Sequence, residues 1–506
     1  MTAHCNPVGF AMRNSLLPRF AALLLGGASV FGFAPFYLFP LPILVLAGLF
    51  FYLREAPPRE AGLRAWLFGL GWFGAGVSWV YVSMHEVGGL PALAAAALAL
   101  GFAGVLALFF GLAGWLAARL PVSSTWRVAW LLPVFWALAE WLRSWVLTGF
   151  PWQALGYSQA PYGPLAGYAP ILGVHGVTLL AAFTAGALAA WRLLPLAGAA
   201  ALWTAGLVLS GHAWTQPTGA PVSVSLVQGN VAQTVKFEPE VLWSTLEAYR
   251  AAVMDSDSRL IVLPETAWPL LYQDVPADYL AELRAHVARF QGHLLVGVPE
   301  RDPGERYYNS LFAFGAEDTQ RYRKVHLVPF GEFVPPGFRW FVDAMAIPLS
   351  DFSRGSAGQA PIVAAGQRLA VNICYEDVFG EELLHALPEA TLMVNISNDA
   401  WFGDSFAPWQ HHQIAQMRAL EAGRWWLKAN NTGLTAIIDA QGHTVASLTP
   451  FTADTLHGEA QGMTGATPYS QWGNAVFLIL AFAALVWILA LSRVAAHRSP
   501  REGGAG

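Results

Sequence analysis

Apolar residues form long runs over the first 213 positions and in one run near the C-terminus, while the segment between them alternates apolar and polar positions. A transmembrane helix needs about 20 mostly apolar residues. Runs of that kind predict about eight spans, near 16–34, 37–53, 64–82, 91–118, 127–147, 168–191, 194–213 and 474–492. The fifth run is the least regular, because Glu140 and Arg143 lie inside or beside it. No A-x-A-like site follows the first run, so we expect a retained span rather than a cleaved signal.

Positive residues are concentrated in every second connection between these runs. Arginines lie before the first run, in alternate connections and after the last run: Arg13, Arg19, Arg54, Arg59, Arg64, Arg119, Arg127, Arg192, Arg493, Arg498 and Arg501. The other connections carry only Arg143. By the positive-inside rule, both termini are predicted to be cytoplasmic and the large polar segment periplasmic, in a bacterial inner membrane.

The segment 220–460 alternates short β-rich runs with amphipathic helices. Strands are predicted over 222–231, 258–268, 293–300, 309–314, 368–377, 391–399 and 425–439, and helices over 239–254, 277–290, 380–387 and 408–422. This repetition predicts a layered α/β domain with functional groups at strand ends. The predicted domains are therefore a transmembrane domain of about seven helices over 1–215, a periplasmic α/β domain over 220–460, and a C-terminal transmembrane helix with a cytoplasmic tail over 470–506.

Composition supports a membrane protein. The chain is 55% hydrophobic and 12% charged, about half the charged fraction of an average soluble domain. Its formal net charge of −5 gives no basis for nucleic-acid binding. The two cysteines, Cys5 and Cys374, cannot form a disulfide framework, and we expect them to lie unpaired on different sides of the membrane.

Three polar residues at the ends of β runs suit covalent acyl chemistry. Glu265 follows an apolar run, Lys324 lies in "RYRKVHLVPFGE", and Cys374 ends the run 370–373. A thiolate can attack a carbonyl, a carboxylate can take the thiol proton, and an ammonium can stabilise the oxyanion. A neighbouring cation would also lower the thiol pKa. Spacing alone does not bring the three together, and a strand-end cysteine is more often structural than catalytic.

Four motifs, "LPETAW", "KVHLVPFGEFVP", "ICYEDVF" and "NISNDAWFG", resemble in order and surroundings the nitrilase superfamily. Its members use a Glu-Lys-Cys triad on an αββα sandwich. With several spans before this segment and one after it, the chain resembles the membrane-embedded branch, the apolipoprotein N-acyltransferase family. The resemblance implies a multi-span α-helical membrane domain plus a nitrilase-like αββα sandwich. It also implies Glu265 as general base, Lys324 as oxyanion stabiliser and Cys374 as nucleophile.

The same resemblance implies a ping-pong reaction in the last step of lipoprotein maturation. An acyl chain passes from a phospholipid, typically phosphatidylethanolamine, to Cys374 as a thioester, and then to the α-amine of a diacylglyceryl-cysteine on an apolipoprotein. Neither a metal nor an organic cofactor is expected. Three further positions are implied to support the site, with Glu332 orienting Lys324 or supporting the thiol–acid pair, and Tyr375 and Glu376 shaping the surroundings of the nucleophile.

Two loops are rich in aromatic and other apolar residues. The segments 329–349 and 398–409, the latter with Trp401 and Phe402, are predicted to act as lids or to contact acyl chains. Phe237 stands where some relatives have Trp, and we expect it to keep a lid or substrate contact. The alternative is that these aromatic residues pack the domain core.

Two other features have ordinary interpretations. His411 and His412 point about 100° apart on a helix and make a poor ligand pair, so they are assigned to the helix surface or to lid support rather than to a metal site. The segment 141–157 is predicted to lie at the outer membrane face, as an aromatic belt or as the wall of a lipid entrance.

Two alternative functions stay open. A membrane-anchored nitrilase-type amidase would use the same chemistry with water as second nucleophile, although eight spans exceed what an anchor needs. A transporter or binding scaffold is the other alternative. However, the spans lack the paired charges of an ion-coupled carrier, and a Glu-Lys-Cys set would then have no explanation.

Overall fold

The computed structural model describes the backbone of residues 7–316, 318–334 and 351–498, and side chains from 16 to 490 within those ranges. The chain divides into two compact units. The first comprises Met1–Ser78, Ala96–Gly211 and Asn474–Gly506, and the second comprises Trp79–Ala95 and His212–Gly473. The second unit thus contains the whole α/β segment together with a short piece of the N-terminal helical region.

The α-helices are, in chain order, α1 Pro7–Ala28, α2 Pro40–Leu53, α3 Pro58–Gly76, α4 Trp79–Val82, α5 Ala92–Arg119, α6 Ser124–Trp126, α7 Leu132–Arg143, α8 Ala169–Ala190, α9 Leu193–Ser210, α10 Pro239–Met254, α11 Ala277–Ala288, α12 Ala407–Ala422, α13 Pro468–Trp472 and α14 Ala475–Arg498. Single π-helical turns over Ser83–Val87 and Arg127–Leu131 follow α4 and α6.

Helices of spanning length are fewer than the sequence predicts. Within the described residues, three are long and apolar enough to cross a membrane: Ala92–Arg119, Pro164–Ala190 and Leu193–Ser210. A fourth is possible if the pair Pro58–Gly76 and Trp79–Val87, bent by 55°, forms one span. Shorter apolar helices occupy Leu16–Gly32, Pro40–Leu53 and Ala475–Ala490. The predicted count of eight spans is therefore not confirmed by helix length and composition.

Glycines let helices α1 and α3 approach closely. A Cβ added to Gly26 would lie 2.0 Å from the carbonyl oxygen of Phe68, and one added to Gly71 would lie 2.1 Å from that of Leu23. Small residues at such contacts let the two backbones approach and pack closely. Helices α1 and α3 are thus joined by close backbone contact.

The charged residues of the fifth apolar run point into the first unit. Glu140 is fully buried and accepts hydrogen bonds from the backbone N–H of Leu155 at 3.0 Å and from the Thr178 hydroxyl at 3.0 Å. Arg143, 1% exposed, donates to the backbone oxygens of Phe150 and Trp152. These charges therefore fix the connection between α7 and α8.

The second half of the segment 141–157, residues 151–157, is buried in the first unit. Trp152 and Tyr157 are each 2% exposed, so an aromatic belt is the wrong interpretation for these two residues. Trp145, by contrast, is 52% exposed.

Fourteen strands are described in the second unit: β1 Thr215–Pro217, β2 Val222–Gln228, β3 Leu260–Val262, β4 His293–Arg301, β5 Tyr307–Phe314, β6 Thr319–Arg323, β7 Ile362–Ala364, β8 Gln367–Ile373, β9 Leu392–Ser397, β10 Trp426–Asn430, β11 Ala436–Ile438, β12 Thr444–Ser447, β13 Asp454–Ala460 and β14 Met463–Gly465. Two six-stranded sheets have the orders β13-β2-β3-β4-β5-β6 and β12-β11-β10-β9-β8-β7, and β1 pairs with β14. The centre of each large sheet is parallel, over β2-β3-β4 and β8-β9-β10.

The two large sheets pack face to face between layers of helices. One buried cluster joins side chains of both sheets, such as Leu226 and Val262 of the first with Val394 and Leu427 of the second. A second cluster covers the first sheet with α10 and α11, and a third places α12 on the second sheet. This α-β-β-α layering confirms the predicted sandwich. Because the central strands are buried on both faces, the sheets hold the residues that follow these strands in fixed positions.

Candidate active site

Glu265, Lys324 and Glu332 meet in one contact group. Lys324 directly follows β6 and is 1% exposed. Its Nζ lies 2.9 Å from Glu332 Oε1 and 3.3 Å from Glu265 Oε1. Glu265, 7% exposed, lies beyond the carboxyl end of β3. The structure therefore brings together the carboxylate and the amine that sequence motifs alone had paired.

Asn309, on β5, completes this group and was missed by sequence analysis. Its Nδ2 donates to Glu265 Oε1 and to Glu332 Oε1, both at 2.7 Å. The amide and the Lys324 ammonium thus hold the two carboxylates side by side, which fixes the orientation of both. A single asparagine inside a β run carries no local signal of this role.

Cys374 directly follows β8 and begins the 3₁₀ turn Cys374–Val378. Its φ is +53°, which is rare for a residue with a side chain and costs about 1–3 kcal/mol. Asn395 Nδ2 donates to its carbonyl oxygen at 3.2 Å. The thiol is 9% exposed and belongs to the apolar cluster between the sheets.

The thiol is held in its protonated form. Burial raises the pKa of Cys374 well above its usual range, and the charge of Glu265 adds to the rise, while Lys324 acts in the opposite direction. The expected lowering of the thiol pKa by a neighbouring cation is therefore outweighed. A nucleophilic role consequently requires a base at the moment of attack.

Lys324 is a fixed cation. Burial by itself lowers the pKa of its ammonium, but the carboxylates of Glu265 and Glu332 outweigh burial and leave the pKa above its usual value. A positive charge that persists in a buried site can stabilise a developing oxyanion.

Glu376 clamps the nucleophile turn to the segment after Lys324. It is 2% exposed, and burial raises its pKa to about 7 against the effect of its hydrogen-bond donors. Those donors are the backbone N–H groups of Ile373 (2.7 Å), Val325 (2.6 Å) and His326 (3.1 Å) and the hydroxyl of Tyr322 (3.1 Å). One carboxylate thus spans the two strand ends that carry Cys374 and Lys324.

Tyr375, the residue after the nucleophile, lies in an aromatic group. Its ring centroid is 5.1 Å from that of Phe379 and 5.9 Å from that of His326, both edge-on. It is 8% exposed, so its ring packs among the side chains around the turn Cys374–Val378.

Phe237 lies on a loop anchored beside Glu265. Phe237 is 37% exposed, whereas the preceding Lys236 is 1% exposed and its Nζ donates to the Glu265 backbone oxygen at 3.3 Å. Burial lowers the pKa of Lys236 to about 8. Lys236 was not singled out from the sequence, although it is adjacent to a residue that was.

The aromatic loop after β9 contacts the helical piece of the second unit. Phe402 packs edge-on against Trp79 with ring centroids 4.7 Å apart, and Trp79 Nε1 donates to Gln410 Oε1 at 3.2 Å. Trp401 is half-buried on the same turn. The other predicted lid, 329–349, falls mostly on positions 335–350, which lie outside the described residues.

His411 and His412 are not on the helix surface, so that part of their assignment is wrong, whereas lid support stays a prediction. They are 1% and 3% exposed, and His411 lies between Asp377 and Asp399. Among the side chains that the structure describes, no group of three or more His, Cys, Asp or Glu residues has the geometry to hold a metal ion.

Comparisons with known proteins cover both units. Residues 25–187 match the family described as "Apolipoprotein N-acyltransferase N-terminal domain", and residues 223–469 match the family described as "Carbon-nitrogen hydrolase".

Full-length relatives are also similar. A Nitrosomonas europaea protein named "Apolipoprotein N-acyltransferase" is 49% identical over 499 residues, with 97% of this chain and 99% of the relative covered. Proteins of the same name from Chromobacterium violaceum and Methylococcus capsulatus are 45% and 47% identical, with 93% and 88% of this chain and 93% and 90% of the relatives covered.

Proposed function

The chain belongs to the apolipoprotein N-acyltransferase family, and from that premise we propose that it N-acylates lipoproteins by a ping-pong mechanism. The acyl chain comes from a phospholipid, phosphatidylethanolamine in the simplest case. It passes through a thioester on Cys374 to the N-terminal amine of a diacylglyceryl-cysteine. The observation that carries the proposal is the contact of the buried Lys324 ammonium with the carboxylates of Glu265 and Glu332, whose charges also act on the buried thiol of Cys374.

In the first half-reaction, Glu265 takes the thiol proton as the sulfur attacks the ester carbonyl of the donor. The Lys324 ammonium stabilises the oxyanion that forms. When the tetrahedral intermediate collapses, the C–O bond breaks and the lysophospholipid oxygen takes the proton from Glu265. The enzyme then carries an acyl thioester on Cys374.

In the second half-reaction, the neutral α-amine of the acceptor attacks the thioester. Glu265 takes a proton from the attacking nitrogen, the C–S bond breaks, and the Cys374 sulfur recovers that proton. The product is an amide, so the lipoprotein gains a third chain. The same carboxylate serves as base and acid in both halves, and neither step needs a metal or an organic cofactor.

The remaining site residues have positioning and binding roles in this proposal. Glu332 orients Lys324 through their 2.9 Å contact. Glu376 and Tyr375 hold the nucleophile turn. The partly exposed aromatic residues contact acyl chains or the acceptor: Phe237, Trp401 and Phe402.

A membrane setting fits this substrate class. We infer about eight spans in a bacterial inner membrane, with both termini cytoplasmic and the 220–460 domain periplasmic, flanked by membrane segments within 1–215 and 470–506. The inference is supported by the alternating arginines of the connections and by apolar helices such as Ala92–Arg119 and Leu193–Ser210.

A membrane-anchored amidase is the second candidate, because residues 223–469 match a family of hydrolases. It would form a thioester on Cys374 from a small amide, with release of the amine, and would then pass the acyl group to water. The two candidates differ in the acyl donor and in the second nucleophile.

Intact mass after incubation with phosphatidylethanolamine tests the proposal. We expect a hydroxylamine-labile gain of one acyl chain in the wild type and in Cys5→Ala, and no gain in Cys374→Ala. Addition of a diacylglyceryl lipopeptide should then discharge the adduct and acylate the peptide amine. Absence of any adduct in folded, lipid-containing protein contradicts the acyltransferase proposal, whereas an adduct that yields only free fatty acid indicates the hydrolase.

A further inference from the structure

A buried charged histidine lies behind the nucleophile. His411 is on α12, its Nε2 is 2.9 Å from Asp377 Oδ1, and its Nδ1 is 3.0 Å from Asp399 Oδ1. Both carboxylates are fully buried. A neutral imidazole has a proton on only one nitrogen, so it could donate to one carboxylate only. The geometry therefore fits the doubly protonated imidazolium.

The two carboxylates belong to turns that the chemistry uses. Asp377 lies in the turn Cys374–Val378, and Asp399 begins the turn Asp399–Phe402. These turns follow β8 and β9, which are adjacent and parallel. One imidazolium thus ties the nucleophile turn to the turn that carries the aromatic residues.

The surroundings hold the ion pair in place. Asp399 also accepts from the Asn430 side-chain amide through its second oxygen. Lys428, fully buried, faces the same carboxylates, so two basic groups lie with two acidic groups. Burial lowers the pKa of His411, but Asp377 and Asp399 outweigh burial and Lys428 and raise it to about 9.

We propose that His411 is a positioning residue for thioester formation, fixing the Cys374 turn relative to the 399–402 turn through simultaneous bonds to Asp377 and Asp399. This rests on the proposed acyl transfer. Loss of the imidazolium frees one turn from the other. The sulfur then leaves its attack position, for which a displacement of about 1 Å can cost about 10²-fold in rate.

His412 provides a matched control. It is equally buried, but its Nε2 bonds to the Thr444 hydroxyl at 2.7 Å, and burial lowers its pKa to about 3, so it is neutral. His412→Asn therefore removes a buried imidazole and one hydrogen bond without touching either turn.

The test measures the rate constant of thioester formation on the full-length protein, by intact mass, with phosphatidylethanolamine as the donor. We expect His411→Asn to lower the rate constant at saturating donor by about 10²-fold and to leave the apparent KM of the donor within about threefold of the wild-type value. For His412→Asn, we expect both the rate constant and the apparent KM to stay within about threefold of the wild-type values. Equal rate constants in the two variants, or a change confined to KM, overturn the proposal.

The pH profile of the wild type supplies a second test should His411→Asn fail to fold. The groups facing His411 are Asp377, Asp399, Lys428 and His412. The rate constant should fall as pH rises through about 9, where the imidazolium is lost. A rate constant that is level or rising from about pH 8 to 10 contradicts the inference. A wild type that forms no thioester at any pH refutes the proposed function, and this inference falls with it.

Discussion

Glu376 gives a quantitative test of how the site is held together, because every donor around its carboxylate is known. We expect Glu376→Gln to lower the free energy of unfolding and the rate of thioester formation. An amide presents one acceptor oxygen and an NH₂ group with two donor hydrogens, where the carboxylate presents two acceptor oxygens. With its oxygen at the Oε1 position, glutamine keeps the bonds from Val325 and His326. Its NH₂ group then faces the N–H of Ile373.

The magnitude follows from that count. A buried donor left without a partner costs about 1–3 kcal/mol, and bonds to a neutral acceptor are weaker than those to a charged one. The Tyr322 hydroxyl can turn to accept from the new amide, so one orphaned N–H and weaker remaining bonds give a loss of about 2–4 kcal/mol. Tyr322→Phe is the control, since it leaves all three backbone donors bonded to Glu376 and costs about 1 kcal/mol.

The unfolding midpoints of both variants can be measured by thermal unfolding in the presence of a maleimide dye. In a Cys5→Ser background Cys374 is the sole cysteine, so dye labelling reports exposure of the second unit. We expect the midpoint to fall by several degrees for Glu376→Gln and clearly less for Tyr322→Phe. Equal midpoints for the two variants would refute the reasoning that the carboxylate, rather than the surrounding packing, holds the two strand ends together.

Three further perturbations have definite expected outcomes. Gly297→Ala would place a Cβ 2.5 Å from the backbone oxygen of Pro264 and 2.7 Å from Glu265 Cα, so we expect this variant to lose the acyl adduct detected by intact mass. Gly101→Ala is the control, because the space around its Cβ is open, and it should form the adduct as the wild type does. Lys324→Met leaves the buried carboxylate of Glu265 and the partly buried carboxylate of Glu332 without their cation, which we expect to cost about 3–5 kcal/mol. The unfolding midpoint of this variant should therefore fall by several degrees, and a midpoint equal to that of the wild type would contradict the reasoning. The pKa of His411 is raised from 6.5 to about 9, so its imidazolium contributes at most about 3 kcal/mol to stability. This contribution is complete below about pH 6.5 and disappears as pH rises through about 9. The difference in unfolding midpoint between the wild type and His411→Asn should therefore shrink over that pH range.

Periodicity was sufficient to predict the layered domain, because its strands and amphipathic helices have local patterns. The helices predicted over 239–254 and 408–422 agree with α10 and α12 to within one residue. The run 425–439, predicted as continuous β structure, is instead the hairpin of β10 and β11. The residues "NNTG", positions 430–433, lie where β10 ends, and asparagine and glycine are typical turn residues.

Burial of polar residues could not be predicted in the same way. Helix α12 has the composition of an exposed helix, yet Gln410, His411, His412 and Gln416 are at most 3% exposed. Their partners lie on distant segments, such as Thr444 for His412. A hydropathy pattern assigns such residues to the surface, because burying a polar side chain is unfavourable unless it is hydrogen-bonded. The hydrogen bonds that permit burial here come from tertiary contacts, which a local pattern does not contain. Asn309 and Lys236 escaped notice for the same reason.

The raised thiol pKa is compatible with nucleophilic catalysis once the charge of the whole site is considered. With Cys374 protonated, the contact group of Glu265, Glu332 and Lys324 carries a formal charge of −1, and Lys324 is 1% exposed. Release of the thiol proton to solvent would change the total charge of these residues from −1 to −2. Burial and the nearby charge of Glu265 disfavour that change. Transfer of the same proton to Glu265 leaves the total at −1. In the proposed mechanism, thiolate and carboxylic acid therefore form together at the moment of attack, without any change in buried charge, and Cys374 stays protonated before the donor is attacked.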